Sequence, residues 1–151
     1  MKHLEDIISK LPYGPNFCFV DRLESVSEEE IVGEYRFRAD APWQADHFPS
    51  NPIVPGVIIT ECMAQIGLVC FGLHLYHLQH HDWPGPEGGI AFTESQVKFW
   101  HVLRPGESVR VRATKQYYRL GKLKVEAEML GTDGQRIAKG TLAGVLNRKR
   151  R

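Results

Sequence analysis

The chain has 151 residues, 42% of them hydrophobic and 25% charged, with a net charge of +1. A chain of that length makes one domain, here expected over 1–151, which can bury a core without staples; the balanced charge excludes dominant nucleic-acid or membrane electrostatics. Cys18, Cys62 and Cys70 are odd in number, lie in apolar surroundings and lack C-x-x-C spacing, so they read as reduced core residues and neither as disulfides nor as zinc ligands.

Leu4, Ile7, Ile8 and Leu11 recur at helical spacing, which predicts a short amphipathic helix over 3–10 stopped by Pro12. Glu5 and Asp6 stand where a signal peptide needs an apolar stretch, so a cytoplasmic location is expected. The period then changes: Phe17–Val20 and Ile31–Phe37 read as two strands separated by the acidic turn Ser25–Glu30.

Between His47 and Glu61 the chain reads H-F-P-S-N-P-I-V-P-G-V-I-I-T-E. Pro49, Pro52 and Pro55 each fix φ and remove a backbone donor, so His47 sits on a stiff extended loop. From Val57 to Phe71 the chain is long enough for a helix and apolar on nearly every face, which predicts a buried helix. Its strongly polar side chains before His74 are Glu61 and Gln65, four residues apart and so on one face. A buried carboxylate is costly unless paired or used; alone, Glu61 could simply pin the helix. Beside a Pro-braced His and a helix start, it points to acid/base chemistry.

The segment from His77 to Gly89 is dense in Pro and Gly and reads as a loop; His77 and His81 have an i, i+4 spacing that suits a metal, but no tetrahedral set accompanies them. Residues 90–100, 107–118, 122–130 and 135–146 are strand-length runs divided by Arg104-Pro105-Gly106, Leu120-Gly121 and Thr132-Asp133-Gly134. The order is therefore a short helix, two strands, one long buried helix, then four strands in a meander. With no βαβ alternation, the fold class is α+β, with one antiparallel sheet of about six strands wrapped around the central helix. That suits the hotdog architecture, whose edge strands commonly pair into a dimer. Arg148-Lys149-Arg150-Arg151, in a basic tail from about 147, reads as a solubilising end.

Three stretches make the pattern specific. Leu11-Pro12-Tyr13-Gly14-Pro15-Asn16-Phe17-Cys18-Phe19-Val20-Asp21-Arg22 is similar to an L-P-H-R-x-P-F-L-L-V-D-R opening. His47-Phe48-Pro49, Pro52, Pro55-Gly56-Val57, Glu61 and Met63-Ala64-Gln65 keep the spacing of an H-F-P-x-x-P-x-x-P-G-V-x-x-x-E-x-M-A-Q core, and Phe99 with Pro105-Gly106-Glu107 keeps that of F-x-x-x-x-x-P-G-D. On these residues the chain resembles the bacterial (3R)-hydroxyacyl-(acyl-carrier-protein) dehydratases of the FabZ type over nearly its whole length. It departs from the pattern at Asp46 and Ser50, where the family usually has Gly, and at Tyr13, where it has His.

The resemblance implies a hydro-lyase that converts (3R)-hydroxyacyl to trans-2-enoyl thioesters on acyl carrier protein, in fatty acid or related polyene biosynthesis. His47 would be the base for the C2 proton, Glu61 the acid for the leaving hydroxyl, and the Gly56 amide the donor to the thioester carbonyl. Phe48, Val57, Gln65, Phe92 and Phe99 would join Gly56 in binding substrate, with the central helix and Trp100 lining an acyl tunnel. No metal, nucleotide or redox cofactor is needed. The site's His and Glu would come from different subunits of a homodimer, alone or as a trimer of dimers, with no nucleic-acid or membrane partner. Lys98, Arg104, Arg110, Arg112, Lys115, Arg119 and Lys122 are candidates to meet the acidic carrier protein. The rivals are an acyl-CoA or acyl-carrier thioesterase, a dehydratase that also isomerises the double bond, and a non-catalytic carrier-binding module. Glu at 61 disfavours the isomerase, which typically has Asp there, and retention of both His47 and Glu61 disfavours a decayed site.

Overall fold

The computed structural model describes residues 2–85 and 89–146; the basic tail and residues 86–88 of the expected loop lie outside them. The N-terminal helix α1 (Lys2–Ser9) buries Ile7 and packs Leu4 and Ile8 against the core, as the helical spacing predicts. The expected strand at Phe17–Val20 does not form. Pro15–Phe17 is a short 3-10 turn, and the segment after it finds its hydrogen bonds on the central helix. The Phe19 amide donates to Gln65 Oε1 at 2.7 Å, the Phe17 carbonyl accepts from Gln65 Nε2 at 2.9 Å, and the Phe19 carbonyl accepts from the Cys62 thiol at 3.3 Å. A glutamine amide and a thiol thus stand where a neighbouring strand would otherwise pair, which removes the reason for a ladder.

The first strand comes later, β1 (Arg22–Val26), and pairs antiparallel with β2 (Glu30–Arg36) across a turn that is tied by Ser27 Oγ accepting the Glu29 and Glu30 amides. A single helix, α2 (Gly56–His80), follows, with a π-helical stretch at Gln65–Cys70. It is apolar and long enough to span a bilayer, yet 72% of its most apolar window is buried by the rest of the chain. It also runs through His77 and His80, where a loop was expected; the breakers act only from His81, which closes the helix at φ 54°.

The remaining strands are β3 (Ile90–Phe99), β4 (Ser108–Arg119), β5 (Lys122–Gly131) and β6 (Arg136–Leu146), close to the predicted runs. They are not one meander. The order across the antiparallel sheet is β1-β2-β4-β5-β6-β3, so β4, β5 and β6 are consecutive neighbours while β3 crosses to the far edge beside β6. The sheet wraps α2 closely enough that a Cβ on Gly67 would stand 3.0 Å from the Ala113 side chain of β4. Ile66, Leu68, Met63, Val111, Val125 and Leu142 fill the interface as buried core, giving the hotdog arrangement. All three cysteines are free, with Cys62 and Cys70 buried.

Candidate active site at the start of the central helix

The loop before α2 owes its shape to a bracket of backbone bonds. The His47 amide donates to the Gln44 carbonyl (3.3 Å), the Ile53 amide to the His47 carbonyl (2.9 Å), and Phe48 and Asn51 exchange main-chain bonds at 3.4 and 3.0 Å. Val54 is anchored by its amide on the Leu103 carbonyl at 2.8 Å, tying this end of the loop to the turn before β4. His47 is half-buried, and its Nδ1 lies 3.2 Å from the Ile53 carbonyl. A carbonyl only accepts, so Nδ1 is the donor in this contact, and in the neutral ring the free lone pair is then on Nε2. Phe48, 52% exposed, stacks on the imidazole with ring centroids 4.3 Å apart. Asp46 is exposed and makes no ion pair with His47.

Pro55 caps the helix with φ −60° and ψ 141°, and its carbonyl accepts from the Ile58 and Ile59 amides at 3.0 and 3.1 Å. The amides of Gly56 and Val57 come before the first intrahelical bond, and no described residue accepts from them. They open on a groove of about 510 Å³ lined by Gly56, Val57, Thr60, Ser95, Val97 and Phe99. The Thr60 hydroxyl is turned back onto the Gly56 carbonyl at 3.0 Å. Phe99 lies over the helix start, where a Cβ on Gly56 would meet its ring at 3.3 Å.

Glu61 lies on α2 one turn beyond Val57. Burial raises its carboxyl above the ordinary glutamate range, opposed by Gln65 Nε2, which donates to Oε2 at 3.3 Å. Tyr13 stands near it, its phenol pushed up first by burial and then by the Glu61 charge. Gln65 is fully buried, and its amide is engaged by Phe17, Phe19 and Glu61, so what it holds is the chain and the carboxylate.

The expected residues therefore fall into separate groups within one chain. Gly56, Val57 and Phe99 meet in the groove; His47 and Phe48 sit on the loop before it; Phe92 is exposed farther along β3, beside a bulge between Phe92 and Glu94. No hydrogen bond or ion pair joins His47 to Glu61 among the described residues. Thr60 enters the groove from the central helix, which was expected to line it; Ser95 and Val97 were not anticipated there, although they share a face with Phe99 along β3 and that period could have found them.

The basic candidates also divide. Arg110 is held bidentate by Glu24 at 2.8 and 3.0 Å, Arg112 reaches Glu30 at 4.0 Å and Lys115 reaches Glu29 at 3.9 Å. Those three charges are offset by acids of β1, β2 and their turn. Lys98 makes no ion pair among the described residues, and Arg104 donates to the Asn51 side chain at 2.8 Å, beside the loop that carries His47.

Three comparisons bear on this arrangement. Residues 23–141 match the ApeI-like family, described as ApeI dehydratase. The 3-hydroxyacyl-(acyl-carrier-protein) dehydratase FabZ of Deinococcus radiodurans is 32% identical over 130 residues, covering 85% of this chain and 84% of its own. Among solved structures, the dehydratase heterocomplex ApeI:P from Xenorhabdus doucetiae superposes with a TM-score of 0.75 at 14% identity, covering 95% of this chain and 91% of that one. A hypothetical thioesterase from Streptococcus pneumoniae with coenzyme A reaches a TM-score of 0.62 at 8% identity, covering 97% and 98%. At those identities the two structures speak for the fold alone.

Proposed function

The chain belongs to the ApeI-like dehydratase family, and from that premise we propose that it removes water from (3R)-hydroxyacyl-(acyl-carrier-protein) to give the trans-2-enoyl thioester, in fatty acid or related polyene synthesis. The observation that carries the reading is the 3.2 Å contact of His47 Nδ1 with the Ile53 carbonyl, which commits Nδ1 as a donor and leaves Nε2 of the neutral ring as the base. Nε2 takes the C2 proton, and the electron pair left behind forms the C2–C3 double bond. The C3–O bond breaks, and the departing hydroxyl takes the Glu61 proton and leaves as water. A carboxyl raised by burial holds that proton nearer neutral pH than an exposed glutamate would. As C2 loses its proton, charge gathers on the thioester oxygen, and the free Gly56 amide at the positive end of α2 is aimed to stabilise it.

The active unit in this reading is a homodimer in which His47 of one chain works with the partner's Glu61. That no hydrogen bond or ion pair joins the two residues among the described residues supports it, and so does β3, an edge strand mostly exposed on both faces, with Phe99 and the following Trp100 each 48% exposed. Of the basic candidates without an ion pair among the described residues, Lys98 and Arg104 lie nearest the groove and the His47 loop and would receive the acidic carrier protein; the cytoplasm, where that carrier would be met, is the proposed location.

The test is incubation with a panel of 3-hydroxyacyl carrier-protein substrates, following products by mass. An enoyl product 18 Da lighter is expected. Release of free acid with no enoyl species would instead favour thioesterase activity, the second reading that the Streptococcus likeness keeps open.

A further inference from the structure

We propose that Gln44 is a positioning residue that holds His47 in its working tautomer. The inference rests on reading His47 as the base.

Gln44 is 1% exposed, although Pro42, Ala45 and Asp46 around it all face solvent. A primary amide kept in the interior of an exposed loop needs partners, and this one has them on a single side. Its Nε2 donates to the Ile53 carbonyl at 2.9 Å, the same oxygen that accepts from His47 Nδ1 at 3.2 Å. A carbonyl has two lone pairs, and here one takes the glutamine and the other the imidazole. The Gln44 main-chain carbonyl also accepts the His47 amide. Gln44 therefore grips the histidine from behind at two points, its backbone and the acceptor of its ring.

The other half of the amide is unspent. Gln44 Oε1 is, among the described residues, the one buried side-chain oxygen or nitrogen without a partner. Flipping the amide would not help, because it would set Oε1 against the Ile53 carbonyl, acceptor against acceptor. A residue kept only to fill space would do better without that bare oxygen, so the donor is the part of Gln44 with a use. Its use is to hold the Ile53 peptide with the oxygen turned toward the ring. If the peptide turned away, Nδ1–H would lose its acceptor, the two neutral tautomers would mix, and the share with a free Nε2 would fall. Gln44 touches neither the groove nor any reacting atom; it acts through Ile53.

The probe is Gln44→Met, which keeps the length and burial but removes the donor. Imidazole 15N spectra of histidine-labelled protein, with the His47 signals assigned by their loss in His47→Ala, read the tautomer directly. In the wild type one tautomer protonated at Nδ1 is expected, and in Gln44→Met a mixture, with kcat down on the order of tenfold. KM should stay within about twofold, since the acyl groove is untouched. Melting should be unchanged or higher, because the bare oxygen is gone. His47 signals identical in variant and wild type would overturn the proposal whatever the activity. A shifted tautomer with wild-type turnover would support the positioning role and overturn His47 as the base. Should Gln44→Met not fold, Gln44→Leu, shorter and likewise without a donor for Ile53, gives the same spectral comparison.

Discussion

Histidines stand at both ends of α2, in opposite surroundings. At the start of the helix His47 is half-buried, spends Nδ1 on the Ile53 carbonyl and leaves Nε2 without a partner among the described residues. At the far end His74 is buried and its Nδ1 shares a proton with His3 Nε2 at 2.8 Å. His3 and His77 both stack on Trp83, with ring centroids 5.9 and 4.2 Å away, and the His77 Nδ1 faces the Asp82 carbonyl at 3.2 Å. Burial, then the His3 and His77 charges, hold His74 down to about 4. The same side chain thus keeps a nitrogen available for the proposed chemistry where a backbone carbonyl takes only one, and is a clasp between α1 and α2 where another imidazole uses it up.

The largest difference between the ends should appear in activity. His47→Ala should lower hydration of a crotonyl thioester by about 10²–10⁴-fold with unchanged circular dichroism. His74→Ala should leave turnover within about twofold and lower the melting temperature instead. Near-wild-type turnover in folded His47→Ala would remove the functional half of the contrast. The composite site then follows. Glu61→Gln should be as inactive as His47→Ala, and a mixture of the two should regain activity as heterodimers with one intact site form. If subunit exchange is verified and nothing returns, base and acid lie in one chain.

The proposed functional end was the more legible in its structure, because the signals that build it are local: three prolines brace the loop and the apolar run beyond Gly56 makes the helix. The four C-terminal strands were legible for the same reason, since period two and turn glycines are short-range signals. Phe17–Val20 was not. Its apolar run has strand character, but its partners are the side chains of Gln65 and Cys62, more than 40 residues on, and no local pattern announces them. The placement of β3 beside β6 is likewise a long-range choice, as is the clasp that joins His3 to His74 and helps carry α2 through a segment that reads as loop. Gln44 gave no signal at all: its meaning lies in an Ile53 carbonyl that the sequence does not point out.

A smaller effect sharpens the functional end. Gly56→Val should lower turnover on the order of 10²-fold if the first helical amide holds the thioester oxygen, since the added side chain crowds the carbonyl. The new Cβ would also press on Phe99, 3.3 Å away, which could cost stability by itself. Pairing it with Phe99→Leu separates the two: melting should recover and turnover should not. Recovery of both would mean that the glycine is there for Phe99.

The smallest effect tests the structural end, by stability against pH. His74 has an ordinary value near 6.5 when unfolded and about 4 when folded, so the unfolded chain binds the proton first as pH falls. Stability from the neutral, buried ring is intact above about 6.5 and is lost progressively toward 4. The groups around it favour that sign: His3 is itself held low by burial and His77, and Asp6 opposes this only in part. His74→Gln cannot take up a proton, so between pH 7 and 4.5 its melting temperature should fall less than that of the wild type, by several degrees at about 2–4 °C per kcal/mol for a chain of this size. The carboxylates that titrate in the same window are common to both proteins and cancel in the difference. Parallel curves would mean that His74 gains a proton without breaking its bond to His3, with the cluster indifferent to charge. Divergence confined to this variant, and absent from His47→Ala, would place the acid-sensitive joint of the fold at the end of the helix that does no chemistry.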